Sequence, residues 1–326
     1  MIVYSVDHGW GPEWPVKKIE QKILDAYLHP LITDASRTVI INSTWYTEQQ
    51  HHSTMQWLRS HAWDHIVLVS MIDAAITQPD WYREFDRPVM TVGNYSGDHD
   101  ITFWAQVLDQ HFVLPDFTTD IDTAFMCLNR KPHWHRLRLY NHMEAQGLLD
   151  LGMVSMGSDG ESPARRVIAE SVAANTLAPN GQAQHHGIIN DIVSLGDPVN
   201  WSRCFLNVVT ETVFDVSQCH FVSEKIFKPM LGHRPFLVYA TDGAVQWLDQ
   251  HGFKNYIKDF GDITELDLGD PENMVPFLES LAAQPRSYLR HKIIDLQDKI
   301  AYNRNRFREF VKEQQIKIEK GIACQI

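Results

Sequence analysis

Cys204-Phe205-Leu206-Asn207-Val208-Val209, then Phe221-Val222-Ser223-Glu224-Lys225-Ile226-Phe227-Lys228-Pro229-Met230, then Pro235-Phe236-Leu237-Val238-Tyr239, read in turn as strand, helix and strand. The outer runs are short and apolar, the pattern of parallel strands buried on both faces. Between them Ser223 is a favoured N-cap, which puts Glu224 and Lys225 in the first helical turn. Free N–H groups and the positive end of the helix dipole gather there and make an anion site. Adjacent helical positions point in different directions. Glu224 and Lys225 are therefore expected not to pair, and to serve different parts of one ligand. A carboxylate can accept both hydroxyl protons of a diol, and an ammonium can face a phosphate. Pro229 removes a backbone hydrogen bond and is expected to kink or shorten the helix. The ordinary alternative is a surface helix start with a serine cap and two solvated charges.

Outward from this stretch the same alternation continues. Strands are expected at Ile2 to Val6, Thr38 to Ile41, His65 to Val69 and Val89 to Val92, with helices at Val16 to Leu28, Gln49 to Arg59 and Ile101 to Phe112. After a turn-like stretch at Pro115 to Asp120 a second series begins. It has a strand at Ala124 to Leu128 and a helix at His135 to Gln146 stopped by Gly147. A strand at Gly152 to Met156 and a helix at Ala164 to Ala174 follow, and the polar segment Leu177 to Asp197 reads as loop. Beyond the opening stretch, helices are expected at Ala244 to Gln250, Met274 to Ala283 and Tyr288 to Lys320. The pattern predicts an α/β chain of two Rossmann-like doubly wound domains facing a cleft, with a long C-terminal helix. The expected division is 1–117 on the acceptor side, 118–298 on the donor side, and 299–326 as a helix packing back on the first domain.

The 326 residues are 44% hydrophobic, enough for full cores, and no apolar run approaches the about 20 residues of a membrane span. The first residues lack a basic region and a long apolar run, so no secretory signal is expected. Cys127, Cys204, Cys219 and Cys324 show neither metal-ligand spacing nor a disulfide framework, which suggests a reduced, cytoplasmic protein. A formal charge of -12 disfavours non-specific polyanion binding.

That makes a local basic cluster informative. Asn129-Arg130-Lys131-Pro132-His133-Trp134-His135-Arg136-Leu137-Arg138 holds four of the 29 basic residues and two of the 17 histidines, between a strand end and a helix start. Cations in a first helical turn oppose the dipole, so their concentration there points to a bound anion. A solvated basic loop or an interdomain salt-bridge patch is the structural alternative.

The run Phe205-Leu206-Asn207-Val208-Val209-Thr210-Glu211-Thr212, followed by Phe221-Val222-Ser223-Glu224-Lys225, resembles the signature of the α1,3-fucosyltransferase family. In that family a strand ending in Phe-Glu-Asn is followed by Tyr-Val-Thr-Glu-Lys and a helix. The run from Leu128-Asn129 to Arg136 is similar to its upstream Ser-Asn segment, and the combined pattern also resembles bacterial and phage glycosyltransferase-like proteins. The resemblance covers about residues 123–260. It implies a GT-B fold and an inverting transfer of a sugar from a nucleotide-diphosphate donor to an acceptor hydroxyl. Glu224 would bind the ribose, while Lys225 and Arg136 would neutralise the diphosphate. Asn129 and Glu211 would line the same cleft, with Arg130 and Ser223 counted among the donor-binding residues. Phe221 stands where the family has Tyr, Thr210 and Thr212 where it has Phe and Asn, and Leu128 where it has Ser. These departures leave base and sugar unnamed.

An inverting reaction needs a general base. Asp7, directly after the first strand, is the first choice and His8 the next; Glu48, Asp73 and Asp98 are further candidates near strand ends. An aspartate after a strand is more often a turn or cap residue. The Asp98-His99-Asp100 and Asp120-Ile121-Asp122 patterns could hold a divalent cation, but the basic cluster can neutralise a diphosphate alone, and no metal is expected. The pairs His51-His52 and His185-His186 lack a ligating partner pattern. In the last helix Ile300, Phe307, Val311 and Ile318 form a stripe ringed by Arg304, Arg306, Arg308, Lys312, Lys317 and Lys320. It is read as packing on the protein, with a peripheral membrane or nucleic-acid contact as the alternative. The expected partners are a nucleotide sugar and a glycan or other hydroxyl-bearing acceptor. Three rival readings stand beside this one. They are a phage-type DNA-base glycosyltransferase, a non-catalytic nucleotide- or sugar-phosphate-binding protein, and another α/β enzyme acting on a phosphorylated substrate.

Overall fold

The computed structural model describes residues 2–5, 38–42, 48–63, 65–70, 89–93, 99–100, 117–129, 131–157, 165–166, 184–185, 188–189, 195, 198–212, 214, 222–239, 243–261, 263 and 269–323. The backbone divides into two compact units, residues 1–107 with 311–326, and residues 108–310.

The first unit carries β1 (Ile2–Ser5), β2 (Thr38–Asn42), α1 (Glu48–Arg59), β3 (His65–Ser70), β4 (Val89–Gly93) and β5 (His99–Asp100). Every pairing is parallel, with Ile2 opposite Val39, Thr38 opposite His65, Ile66 opposite Val89 and Val92 opposite His99. The four longer strands fall within a residue of their expected positions, because Val- and Ile-rich runs of this length suit a buried parallel strand. The strand order is β1-β2-β3-β4-β5. A doubly wound sheet requires the order to reverse at one point, and these described strands show no reversal. Asp100 belongs to β5, whose backbone pairs with Gly93. The helices expected at Val16 to Leu28 and Ile101 to Phe112 lie outside the described residues.

The second unit begins with β6 (Thr123–Asn129), α2 (Trp134–Ala145), a 3-10 turn at Leu148–Asp150 and β7 (Met153–Met156). Then come β8 (Gln184–His185), β9 (Ile188–Ile189), α3 (Pro198–Arg203), β10 (Cys204–Thr210), α4 (Glu224–Leu231) and β11 (Phe236–Tyr239). The helices α5 (Ala244–Gln250), α6 (Ile257–Phe260), α7 (Pro271–Ala282), α8 (Arg286–Asp295) and α9 (Gln297–Ala323) complete the chain. Its parallel sheet has the order β11-β10-β6-β7. From β6 the chain adds β7 on one side and then crosses to add β10 and β11 on the other. The reversal therefore falls between β6 and β10. All seven residues of β10 are buried, as its central place in the sheet demands.

Helix α9 closes the core of this unit. The Phe227 ring of α4 lies 5.1 Å from Phe307, 6.0 Å from both Trp247 and Phe310, and 6.2 Å from Phe253. Asn303, buried on the same helix, accepts from the Lys254 N–H and donates to the Lys254 carbonyl, both at 2.8 Å. After α4 the chain passes so close to Trp201 that a Cβ on Gly232 would meet the indole at 2.1 Å.

Several local expectations are corrected. Gly147 does end its helix in the left-handed region, at φ 69°. Arg166, expected in a helix, instead forms an antiparallel bridge with Met156. The expected loop at Leu177 to Asp197 contains the small antiparallel pair β8–β9. The single helix expected from Tyr288 is two, separated at Leu296. One buried stripe, Leu289, Ile293, Leu296, Ile300 and Phe307, runs through both, so the apolar period carries no mark of the break. Arg306 is not on a solvated face: it donates to the His251 carbonyl at 2.7 Å and lies over Phe253 and Phe310. Among the described residues no helix is long and apolar enough to cross a membrane.

Candidate functional site

In open parallel sheets ligands bind beyond the carboxyl ends of the strands, where the strand order reverses. Here those ends are Asn129 on β6 and Thr210 on β10, and side chains tie them together. The buried Asn129 Oδ1 accepts from the Thr210 hydroxyl at 2.5 Å, and its backbone N–H donates to Ser155 on β7 at 3.2 Å. Arg136, in the first turn of α2, is 3% exposed. Its Nη2 donates to the carbonyls of Thr210 and Glu211, each at 2.9 Å, and its Nη1 to that of Lys131 at 3.3 Å. Arg136 thus fastens the β6–α2 corner to the end of β10, and a cation sits where strand carbonyls converge. Arg130 lies outside the described residues.

Glu211, just beyond β10, is buried and accepts from Ser223 through both oxygens, from the backbone N–H at 3.1 Å and the hydroxyl at 2.5 Å. Burial raises its pKa above the usual carboxylate range, Lys225 opposes the rise, and Glu224 adds to it. Ser223 is the N-cap of α4, as the sequence predicts, its oxygen accepting from the Lys225 N–H at 3.4 Å. Pro229 lies inside this helix, which is only eight residues long.

The expectation that Glu224 and Lys225 would not pair is overturned. The Lys225 ammonium is 2.7 Å from Glu224 Oε1, 3.0 Å from the Ser223 hydroxyl and 3.0 Å from the Thr212 hydroxyl. Helix geometry separates adjacent Cβ atoms, but the flexible four-carbon stem of a lysine in an open first turn can fold back over the cap. The Lys225 side chain remains 27% exposed while that of Glu224 is 6% exposed. Burial pushes the Glu224 carboxyl up, but Lys225 and Lys228 outweigh it and hold the group low.

Two histidines complete the corner. His135 is buried, and its Nε2 lies 2.9 Å from the Glu211 carbonyl. A carbonyl only accepts, so Nε2 carries the proton and Nδ1 is a bare acceptor. Among the described residues nothing hydrogen-bonds that Nδ1. Burial, with Arg136 nearby, lowers the imidazole to about 4 against the opposing effect of the Glu211 carbonyl. Phe214 stacks on it at 5.0 Å and Trp134 meets it edge-on at 5.6 Å. His133 is the N-cap of α2 but makes no side-chain cap bond, and its ring lies parallel to that of His135 with centroids 6.0 Å apart. Burial lowers it to about 4 as well, followed by the charges of Arg136, His135, Lys131 and Lys225.

The structure therefore brings together Asn129, Arg136, Glu211, Ser223, Glu224 and Lys225. Asp7 and His8 lie outside the described residues, as do Asp73 and Asp98, and of Glu48 only the backbone at the start of α1 is described. Sequence reasoning gave His133 and His135 no role beyond membership of the basic cluster, and gave none to Thr210 and Thr212. The two threonines read as departures from a family pattern, yet one ties the strand ends and the other holds Lys225. The Asp120 and Asp122 carboxylates are engaged by Arg290 and Arg203, both at 2.8 Å. Among the described residues no group of His, Cys, Asp and Glu is arranged to hold a metal ion. The described free cysteines, Cys127 and Cys204, are buried, and burial pushes their thiols up to about 11 and about 12.

No family model and no curated protein sequence matches the chain. Among solved structures the backbone is similar to a DNA-modifying β-glucosyltransferase studied with and without uridine diphosphoglucose. The identity is 9% over 91% of this chain and 78% of that one, with a TM-score of 0.40. T4 phage β-glucosyltransferase with UDP-glucose gives 10% identity over 88% and 76% of the two chains, with a TM-score of 0.39. An α1,3-fucosyltransferase with GDP gives 8% identity over 87% and 92%, with a TM-score of 0.40.

Proposed function

We propose that the protein is a glycosyltransferase that moves a sugar from a nucleotide-diphosphate donor to an acceptor hydroxyl. The observation that carries this reading is the gathering of cations around one corner: Arg136 on the Thr210 and Glu211 carbonyls, Lys225 on the Thr212 and Ser223 hydroxyls, and Lys131 acting on the same histidine, His133, as both. The N-termini of α2 and α4 meet there too, at the carboxyl ends of β6 and β10. Backbone N–H groups, two helix dipoles and three cations suit a diphosphate better than a neutral or monoanionic ligand.

The residues divide the work as follows. Lys225, the more exposed partner of its ion pair, leaves Glu224 and meets the diphosphate. The carboxylate it leaves behind faces the ribose diol. Arg136 stays fixed behind the strand ends and contributes its field rather than a direct contact. As the glycosidic bond breaks, the diphosphate gains charge, and these cations stabilise it as a leaving group without a metal ion. The acceptor hydroxyl attacks directly, with inversion, and gives its proton to Asp7 or, in second place, His8. The acceptor is a glycan or another hydroxyl-bearing molecule.

Thermal-shift screening against UDP, GDP, CDP and dTDP identifies the base, and calorimetry on the nucleotide that binds tests the site. Lys225→Ala should weaken binding roughly tenfold to a hundredfold, the equivalent of a charge-assisted hydrogen bond of about 1.5–3 kcal/mol. An unchanged affinity in this variant, or no binding of any of the four nucleotides, overturns the assignment.

A further inference from the structure

The geometry points to His133 as a proton acceptor that responds to the ligand, so that a nucleoside diphosphate entering the site brings a proton from solvent onto this imidazole. The inference rests on the donor reading above. His133 is half-buried in the basic corner, between Lys131 and Arg136 in sequence and with its ring parallel to that of His135. It is the N-cap of α2, yet its ring makes no bond to its own helix. Among the described residues its ring contact is with His135, whose Nε2 is committed to the Glu211 carbonyl. The groups acting on it are Arg136, His135 and Lys131 from its own corner and Lys225 from α4. The carboxylates of the site face elsewhere, Glu211 onto Ser223 and Glu224 onto Lys225.

In the unliganded site burial and these cations keep the imidazole neutral well below pH 7. A diphosphate reverses the local field. It adds negative charge among the cations that act on His133 and draws Lys225 onto itself. The proton-bound form of His133 then becomes the favoured one, since an anion within reach stabilises a cationic imidazole. The sign follows from linkage. If the bound state holds the proton more tightly than the free state, binding strengthens as pH falls between the two pKa values and is insensitive to pH above both.

The test is calorimetry of UDP and GDP in two buffers of different ionisation enthalpy, at pH 6 to 8, on the parent protein and on His133→Gln. The terminal phosphate of a free nucleotide itself titrates near pH 6, about the second pKa of a phosphate monoester, so the quantity read is the difference between parent and variant. His133→Asn, which supplies a favoured N-cap, is the second variant should the first fold poorly. The parent should take up more protons per nucleotide than either variant and should gain affinity relative to them by up to about tenfold per pH unit on acidification. Equal proton counts and parallel affinity profiles overturn the inference while leaving the donor site intact. Failure of the parent to bind either nucleotide overturns it together with the donor reading if CDP and dTDP also fail to bind. If one of those two binds, the same comparison is run on it with the same deciding outcomes.

Discussion

At the scale of single residues, the site is held by polar atoms that meet one another across long stretches of sequence. The Thr210 hydroxyl reaches Asn129 across 81 positions, and the His135 ring reaches the Glu211 carbonyl across 76. Ser223 as an N-cap is readable from local sequence, because capping depends on the residue itself and its next two or three neighbours. The job of Thr210 is not, because it exists only once β6 and β10 lie side by side. The same holds for His135, whose tautomer is set by a carbonyl just beyond β10. Thr210→Val tests this reading. It keeps the shape and removes the hydroxyl, leaving the buried Asn129 oxygen without its donor, at a cost of about 1–3 kcal/mol. Urea denaturation should show the loss, and an unchanged midpoint would mean that the pair contributes nothing.

Among elements, the longer strands of the two parallel sheets were the most legible, since a run of four to seven mostly apolar residues between polar segments has few other solutions. The breaks in helices were the least legible. Nothing at Leu296 announces the end of α8, because neither proline nor glycine stands there and the buried stripe continues. Helix α9 is fixed to the unit by more than its phenylalanines. Asn303 offers its amide to the backbone of Lys254 as a strand neighbour would, one bond given and one received. Asn303→Asp keeps the acceptor and replaces the donor with a carboxylate facing a carbonyl. The variant should lose roughly 1–3 kcal/mol or more of stability, more at neutral pH than in acid, where the added carboxyl can carry a proton. A thermal midpoint equal to the parent's at neutral pH would contradict the role assigned to this amide.

For the molecule as a whole, a chain of net charge -12 places Lys131, Arg136 and Lys225 together at a strand-order reversal. Composition alone argues only against indiscriminate polyanion binding. The position of the cations within the fold argues for one particular anion site. The α/β class and the parallel sheets followed from the alternation of elements. Which sheet would carry the reversal did not, because strand order depends on crossovers between segments far apart in sequence.

The pairing of Lys225 with Glu224 has a consequence for turnover. The lysine is never vacant: its own neighbour is a tethered competitor, present at an effective concentration that no dilution lowers. Singly charged anions such as chloride should lose that competition to a diphosphate. In the proposed reaction the same carboxylate would recapture the ammonium and help to expel the spent diphosphate. Glu224→Gln should therefore bind inorganic pyrophosphate, which has no ribose to lose, more tightly than the parent does. Equal or weaker pyrophosphate affinity in a titration of that variant would show that the neighbouring carboxylate is a bystander.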